Sequence, residues 1–122
     1  MYLADSNIMV YSYLPQYAHL RDFLVNEPVF VSEISRVEVL GYHKITIEEE
    51  AYFKDLFSLV TIISPSRQIF DEAITFRKEY NLSLGDSIIA ATASVHNLSI
   101  YTRNLSDFKK VIGVTCINPI SH

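Results

Sequence analysis

Short unbroken apolar runs alternate along this chain with longer stretches in which apolar residues recur every three or four positions. The runs Tyr2–Ala4, Val29–Val31, Val60–Ile63, Leu98–Tyr101 and Val114–Ile117 have the length and composition of strands buried on both faces. Between the first two, Asp5, Ser6 and Asn7 form a set of helix-capping residues ahead of Ile8, Val10, Tyr11 and Leu14 at helical spacing. Pro15 suits the first turn of a second helix packed through Leu20, Phe23, Leu24 and Val25, and Pro28 ends it. Ser32 or Ser35 then caps a helix through Ile34, Val37, Val39 and Leu40, with Gly41 as its stop.

The same spacing predicts helices over Ile45–Ser58, Ser66–Tyr80 and Asp86–His96, and one or two helical turns over Asn104–Lys110. In the first of these, Glu48, Glu49 and Glu50 stand where negative charge favours the helix dipole. Strands alternating with helices imply right-handed crossovers and a mainly parallel sheet covered on both faces, an α/β fold. At 122 residues the chain fits one domain over 1–122. With 49% apolar and 20% charged residues, it is expected to build a core without disulfides, and Cys116 stands alone. No basic-plus-apolar leader precedes the first strand and no apolar run approaches the ~20 residues of a membrane span, so the expected setting is cytoplasmic, with no membrane partner.

Ligands of open parallel sheets gather at the carboxyl ends of the strands, which directs attention to acids that follow strands or head helices. Asp5 follows the first strand, Asp86 heads its helix, Asp107 lies in the turn after the fourth strand, and Glu38 lies in the helix after the second. Singly, Asp5, Asp86 and Asp107 read equally well as helix or turn caps, and Glu38 as a rim residue facing water. Capping does not require all of them to fall at one end of a sheet. Four carboxylates together repel one another, and hard divalent cations such as Mg²⁺ or Mn²⁺ relieve that repulsion while leaving coordination positions for a phosphate. Zinc fits poorly, because His19, His43, His96 and His122 show no paired spacing. The net charge of -4 argues against nonspecific nucleic-acid binding, although bound cations would invert the field locally.

Four segments in order carry a specific resemblance: Tyr2-Leu-Ala-Asp5-Ser-Asn7, Ser35-Arg-Val-Glu38-Val-Leu-Gly41, Leu84-Gly-Asp86-Ser-Ile-Ile-Ala-Ala-Thr-Ala93 and Tyr101-Thr-Arg-Asn104-Leu-Ser-Asp107-Phe108. Together they resemble the PIN-domain ribonucleases, in particular the VapC-type toxins of type II toxin-antitoxin systems. The resemblance implies a three-layer α/β/α fold with about five strands in the order 3-2-1-4-5. It also implies an Mg²⁺- or Mn²⁺-dependent endoribonuclease that hydrolyses RNA phosphodiester bonds with a metal-activated water. On that reading Asp5, Asp86 and Asp107 are metal ligands and Glu38 binds a second metal or orients the water. Thr102 and Asn104 hydrogen-bond the carboxylates or the substrate phosphate, Arg103 contacts RNA, and Ser6 matches a position where the family has Thr or Ser.

By the same resemblance a cognate antitoxin covers the acidic pocket with a helix and an extended tail, a basic side chain taking the metal position. Apolar exposure expected at Tyr11, Tyr13, Tyr17, Phe53 and Phe57 suits that partner or a homodimer face. Gly85 and Ser87 replace small apolar residues the family often places beside Asp86, which is expected to loosen the helix start. Arg36 and Lys44 are further candidates for guiding RNA, whereas Lys109 and Lys110 read as a solvated face. Two alternatives stand beside the toxin: a catalytically silent PIN-like binding protein, and an RNA-processing nuclease without an antitoxin. A phosphoryl-accepting receiver is excluded, since no Asp follows the third strand and no Lys the fifth.

Overall fold

The structure, a computed structural model, describes residues 1–120; His122 lies outside them. The chain runs β1 (Tyr2–Ala4), α1 (Ser6–Ser12), a 3₁₀ turn (Pro15–Tyr17), α2 (His19–Asn26), β2 (Val29–Ser32), α3 (Glu33–Leu40), α4 (Ile47–Leu59), β3 (Thr61–Ile63), α5 (Arg67–Tyr80), α6 (Leu84–His96), β4 (Ser99–Tyr101), α7 (Leu105–Phe108) and β5 (Cys116–Ile117). The five strands form one parallel sheet in the order β3-β2-β1-β4-β5, as expected. β1 lies at its centre, with Ala4 in register with Val31 on one side and Tyr101 on the other. The chain steps outward from β1 to β3, then returns across α5 and α6 to place β4 against the free side of β1. Strand order therefore reverses between β1 and β4, and a crevice opens beyond their carboxyl ends.

Alternation along β1 divides the core in two. Leu3 and Ile100 pack with α5, α6 and α7 through Ile69, Phe76, Ile89, Ala90 and Phe108. Ala4, Val31 and Tyr101 pack on the opposite face with Ile8, Leu20, Leu24, Val39, Phe53, Leu56 and Phe57 from α1 to α4. This is the three-layer α/β/α arrangement. Phe53 and Phe57 are therefore core residues, 3% and 5% exposed, against the expectation that they face outward. Their spacing with Leu56 forms a stripe turned toward α2 and the sheet. Tyr13 is exposed and Tyr11 and Tyr17 are half-buried; the large exposed apolar side chains elsewhere include Val10, Val37, Tyr42, Ile47, Phe70, Ile74 and Leu84.

Several boundaries differ from the sequence expectation, each for a local reason. α4 starts at Ile47 rather than Ile45, because the Thr46 side chain accepts from Glu49 N while Glu49 accepts from Thr46 N, a reciprocal capping box. α6 starts at Leu84 rather than Asp86, because the Ser83 hydroxyl accepts from Asp86 N at 3.2 Å and takes the cap. Pro15 begins only a single 3₁₀ turn, with α2 following from His19. β5 is reduced to Cys116–Ile117. No helix among the described residues is long and apolar enough to cross a membrane.

Candidate active site

The site is assembled at the strand-order reversal. Asp5 leaves β1 and caps α1, its Oδ1 accepting from Ser6 N at 2.8 Å. Thr102, the residue after β4, is fully buried and donates its hydroxyl to Asp5 Oδ2 at 3.0 Å. Asn7 reaches back two residues and donates through Nδ2 to the same Oδ2 (3.2 Å) and to Thr102 Oγ1 (3.3 Å). Its Oδ1 accepts from Arg103 N at 3.2 Å, and Asn104 N donates to Thr102 Oγ1 at 3.0 Å. The first turn of α1 is thereby tied to the segment after β4.

Glu38 enters from α3. Its Oε1 accepts the Ser6 hydroxyl at 2.7 Å, and Ser6 Oγ lies 2.9 Å from the buried Ser35 Oγ. Asp86 enters from α6, whose residues Ser87 to Ala93 are all buried. That run of small and β-branched side chains lets α6 lie close to α5, β1 and β4, and fixes its first turn at the mouth of the crevice. The hydroxyls of Ser87 and Thr92 are satisfied within the helix by Leu84 O and Ile88 O. Asp107 comes from α7.

Electrostatics define how the acids are arranged. Burial pushes the Asp5 carboxyl up to about 6; hydrogen bonds from Thr102 and Ser6 N pull it back, and the charges of Asp86 and Glu38 raise it again. Asp86 is raised by burial and then by Asp107, with a smaller upward push from Glu38 and a downward one from Lys110. Asp86 thus links the set: it feels Asp107 and Glu38, and its own charge is felt at Asp5. No lysine, arginine or histidine is ion-paired with any of these four acids among the described residues.

All four predicted acids, together with Ser6 and Thr102, converge. Arg103 and Asn104 arrive through their backbone amides; the Arg103 guanidinium lies over the Tyr11 ring, 4.7 Å from its centroid, and the Asn104 side chain is exposed. Arg36 is paired with Glu33 at 2.8 Å and turned to solvent. Lys110, expected only to be solvated, is close enough to Asp86 to lower its pKa. No three acidic, histidine or cysteine side chains among the described residues are placed close enough together to hold a metal ion as a group. The donor set is nevertheless all hard oxygen, and the repulsion that Asp86 and Glu38 exert on the buried Asp5 is what a divalent cation would relieve.

Residues 2–113 match the PIN domain family. The chain belongs to that family. Ribonuclease VapC10 of Mycobacterium tuberculosis is 30% identical to this PIN domain in an alignment covering 88% of this chain and 86% of the relative. A toxin-antitoxin complex from Klebsiella pneumoniae contains a chain that is 30% identical, matched over the full length of both chains with a TM-score of 0.79. DNA-bound VapBC from Salmonella typhimurium superposes with a TM-score of 0.82 over 96% of each chain, and its 18% identity attests the fold alone.

Two groups in this PIN domain escape sequence reasoning as site residues. Asn7 reads in the sequence only as a capping residue, although an amide two positions after a strand-end Asp is well placed to bind that carboxylate. Ser35 reads only as an alternative cap for α3, a role that Ser32 takes through Ile34 N. Neither carries a charge, so neither stands out in a search built on titratable groups.

Proposed function

We propose that this PIN domain is a metal-dependent endoribonuclease and the toxin of a toxin-antitoxin pair. The observation that carries the chemistry is Asp5: a buried carboxylate, with the charges of Asp86 and Glu38 beside it and no ion-paired cation among the described residues, is costly to keep charged. Asp5, Asp86 and Asp107 are the residues that would hold Mg²⁺ or Mn²⁺, with Glu38 orienting the attacking water or holding a second ion. When bound, such an ion polarises a phosphoryl oxygen and lowers the pKa of a coordinated water. Thr102 and Asn7 fix the rotamer of Asp5, and Ser6 fixes that of Glu38. Arg103, held by its backbone and braced on Tyr11, meets the RNA phosphate beside the acids.

The relatives named Ribonuclease VapC10 and the toxin-antitoxin complex support the substrate class and the antitoxin partner. The exposed apolar side chains on α1, α3 and α5 suit that antitoxin and a homodimer contact, in a cytoplasmic protein. The test is cleavage of single-stranded RNA by the purified protein with Mn²⁺ or Mg²⁺, and with excess chelator. Cleavage is expected only with the cation and is suppressed by the product of an adjacent short reading frame. Cleavage that persists in chelator overturns the metal requirement, and tight binding of that companion without any RNA cleavage leaves a binding protein instead.

A further inference from the structure

Glu38 is an exposed residue of α3, yet both oxygens of its carboxylate are confined. Oε1 receives the Ser6 hydroxyl, while Oε2 lies where Gly85 of α6 has no side chain: a Cβ built on Gly85 would stand 2.7 Å from it, closer than real Cβ contacts come. Restoring ordinary contact requires the carboxylate to move by roughly 0.7 Å or more. Nothing in the backbone asks for glycine here, because Gly113 is the one glycine with a positive φ among the described residues. Within the first turn of a helix, glycine is a weaker choice than alanine. The helix start is nonetheless intact, capped by Ser83.

We propose that Gly85 is a positioning residue, whose missing Cβ leaves the slot that holds the Glu38 carboxylate between α6 and the Ser6 hydroxyl, facing Asp5 and Asp86. The inference rests on the reading of Glu38 as a working acid of the nuclease. It explains why a helix otherwise packed with alanine and isoleucine carries glycine beside its acid. Gly85→Ala removes the slot without touching a charge, and the atom it displaces is the free end of a flexible side chain, so the fold is preserved.

The experiment compares RNA cleavage and thermal unfolding of Gly85→Ala, Glu38→Gln, Glu38→Asp and the Gly85→Ala/Glu38→Asp pair, together with a crystal structure of the Gly85→Ala protein. For Gly85→Ala, kcat is expected to fall ten- to about a hundredfold with little change in KM, the scale of a misplaced reacting group. Its melting temperature stays level or rises, and the crystal structure shows the carboxylate withdrawn from Ser6. The double variant cleaves no more slowly than either single one, since the shorter acid fits beneath the added methyl group. If Gly85→Ala matches the wild type while Glu38→Gln is impaired, the proposal falls and the nuclease reading stands. If Glu38→Gln itself cleaves at the wild-type rate, the role of Glu38 fails and the proposal with it. A parallel loss of rate and melting temperature in Gly85→Ala marks a structural glycine and also overturns it.

Discussion

Glu48, Glu49 and Glu50 stand side by side in the first turn of α4, whereas Asp5, Glu38, Asp86 and Asp107 come from four segments and meet only in the fold. The local trio is fully accounted for by helix physics. Glu49 completes the capping box with Thr46, Glu50 pairs with Lys54 one turn on at 3.2 Å, and Glu48 is exposed at the positive end of the helix dipole. The dispersed set has the opposite properties. Its members gain no ion-paired cation among the described residues, Asp5 is 7% exposed, and hydroxyl and amide groups are spent on orienting carboxylates that repel one another. Density of acid along the chain is therefore a poor guide to chemistry; convergence and burial without a partner are the better ones.

The sharpest way to break this contrast is to neutralise one acid in each group. Asp5→Asn is expected to reduce RNA cleavage by more than about a hundredfold, beyond the ~10- to 100-fold typical of a group one step removed from a metal. Glu48→Gln is expected to leave cleavage unchanged. Equal losses in the two variants would erase the distinction drawn between the clusters.

A second separation uses pH. The Asp5 carboxyl stands at about 6 in the folded protein against an ordinary 3.8. Between those values the folded state holds a proton that the unfolded chain has released, so metal-free stability falls as pH rises through the window. The loss is about 3 kcal/mol by pH 7. Urea unfolding in chelator, for wild type and Asp5→Asn, isolates this contribution: the wild type weakens from pH 4 to 7 relative to the variant, and a saturating divalent cation removes the difference. A flat difference profile in chelator would mean that Asp5 is not held in this strained state.

How much of this is legible in sequence follows from the range of the interactions. Strand runs, helix periodicity and the punctuation by Pro15, Pro28 and Gly41 are local signals, and the order of elements follows from them. The four acids are legible because strand ends and helix heads fall at one edge of a parallel sheet. Phe53 and Phe57 defeat the sequence expectation because an apolar stripe does not say which partner covers it, and here α2 and the sheet do. Asn7, Ser35 and the room at Gly85 depend on contacts across 29 to 96 residues of chain, or on the absence of an atom, and no local pattern announces those.

Two threonines beside acids give the finer contrasts. Thr102→Val removes a buried hydroxyl that donates to Asp5 and accepts from Asn104 N and Asn7. Cleavage is expected to fall ~10- to 100-fold, with Thr102→Ser retaining most of it, because the hydroxyl rather than the shape does the orienting. A Thr102→Val protein as active as the wild type would detach Thr102 from the site.

Thr46→Ala is the smallest of these changes and tests the other side of the comparison. The Thr46 hydroxyl accepts from Glu49 N, and without it the first turn of α4 loses its side-chain cap. Loss of an N-cap threonine destabilises by about 1 kcal/mol, which for a domain of this size lowers the melting temperature by about 4 °C. Cleavage measured well below the transition should be unaffected, since the capping box touches none of the four convergent acids. If the rate fell in step with the Thr102 variants, the glutamates of α4 would be communicating with the crevice, and the division between a dipole-stabilising acidic turn and a reactive acidic pocket would not hold.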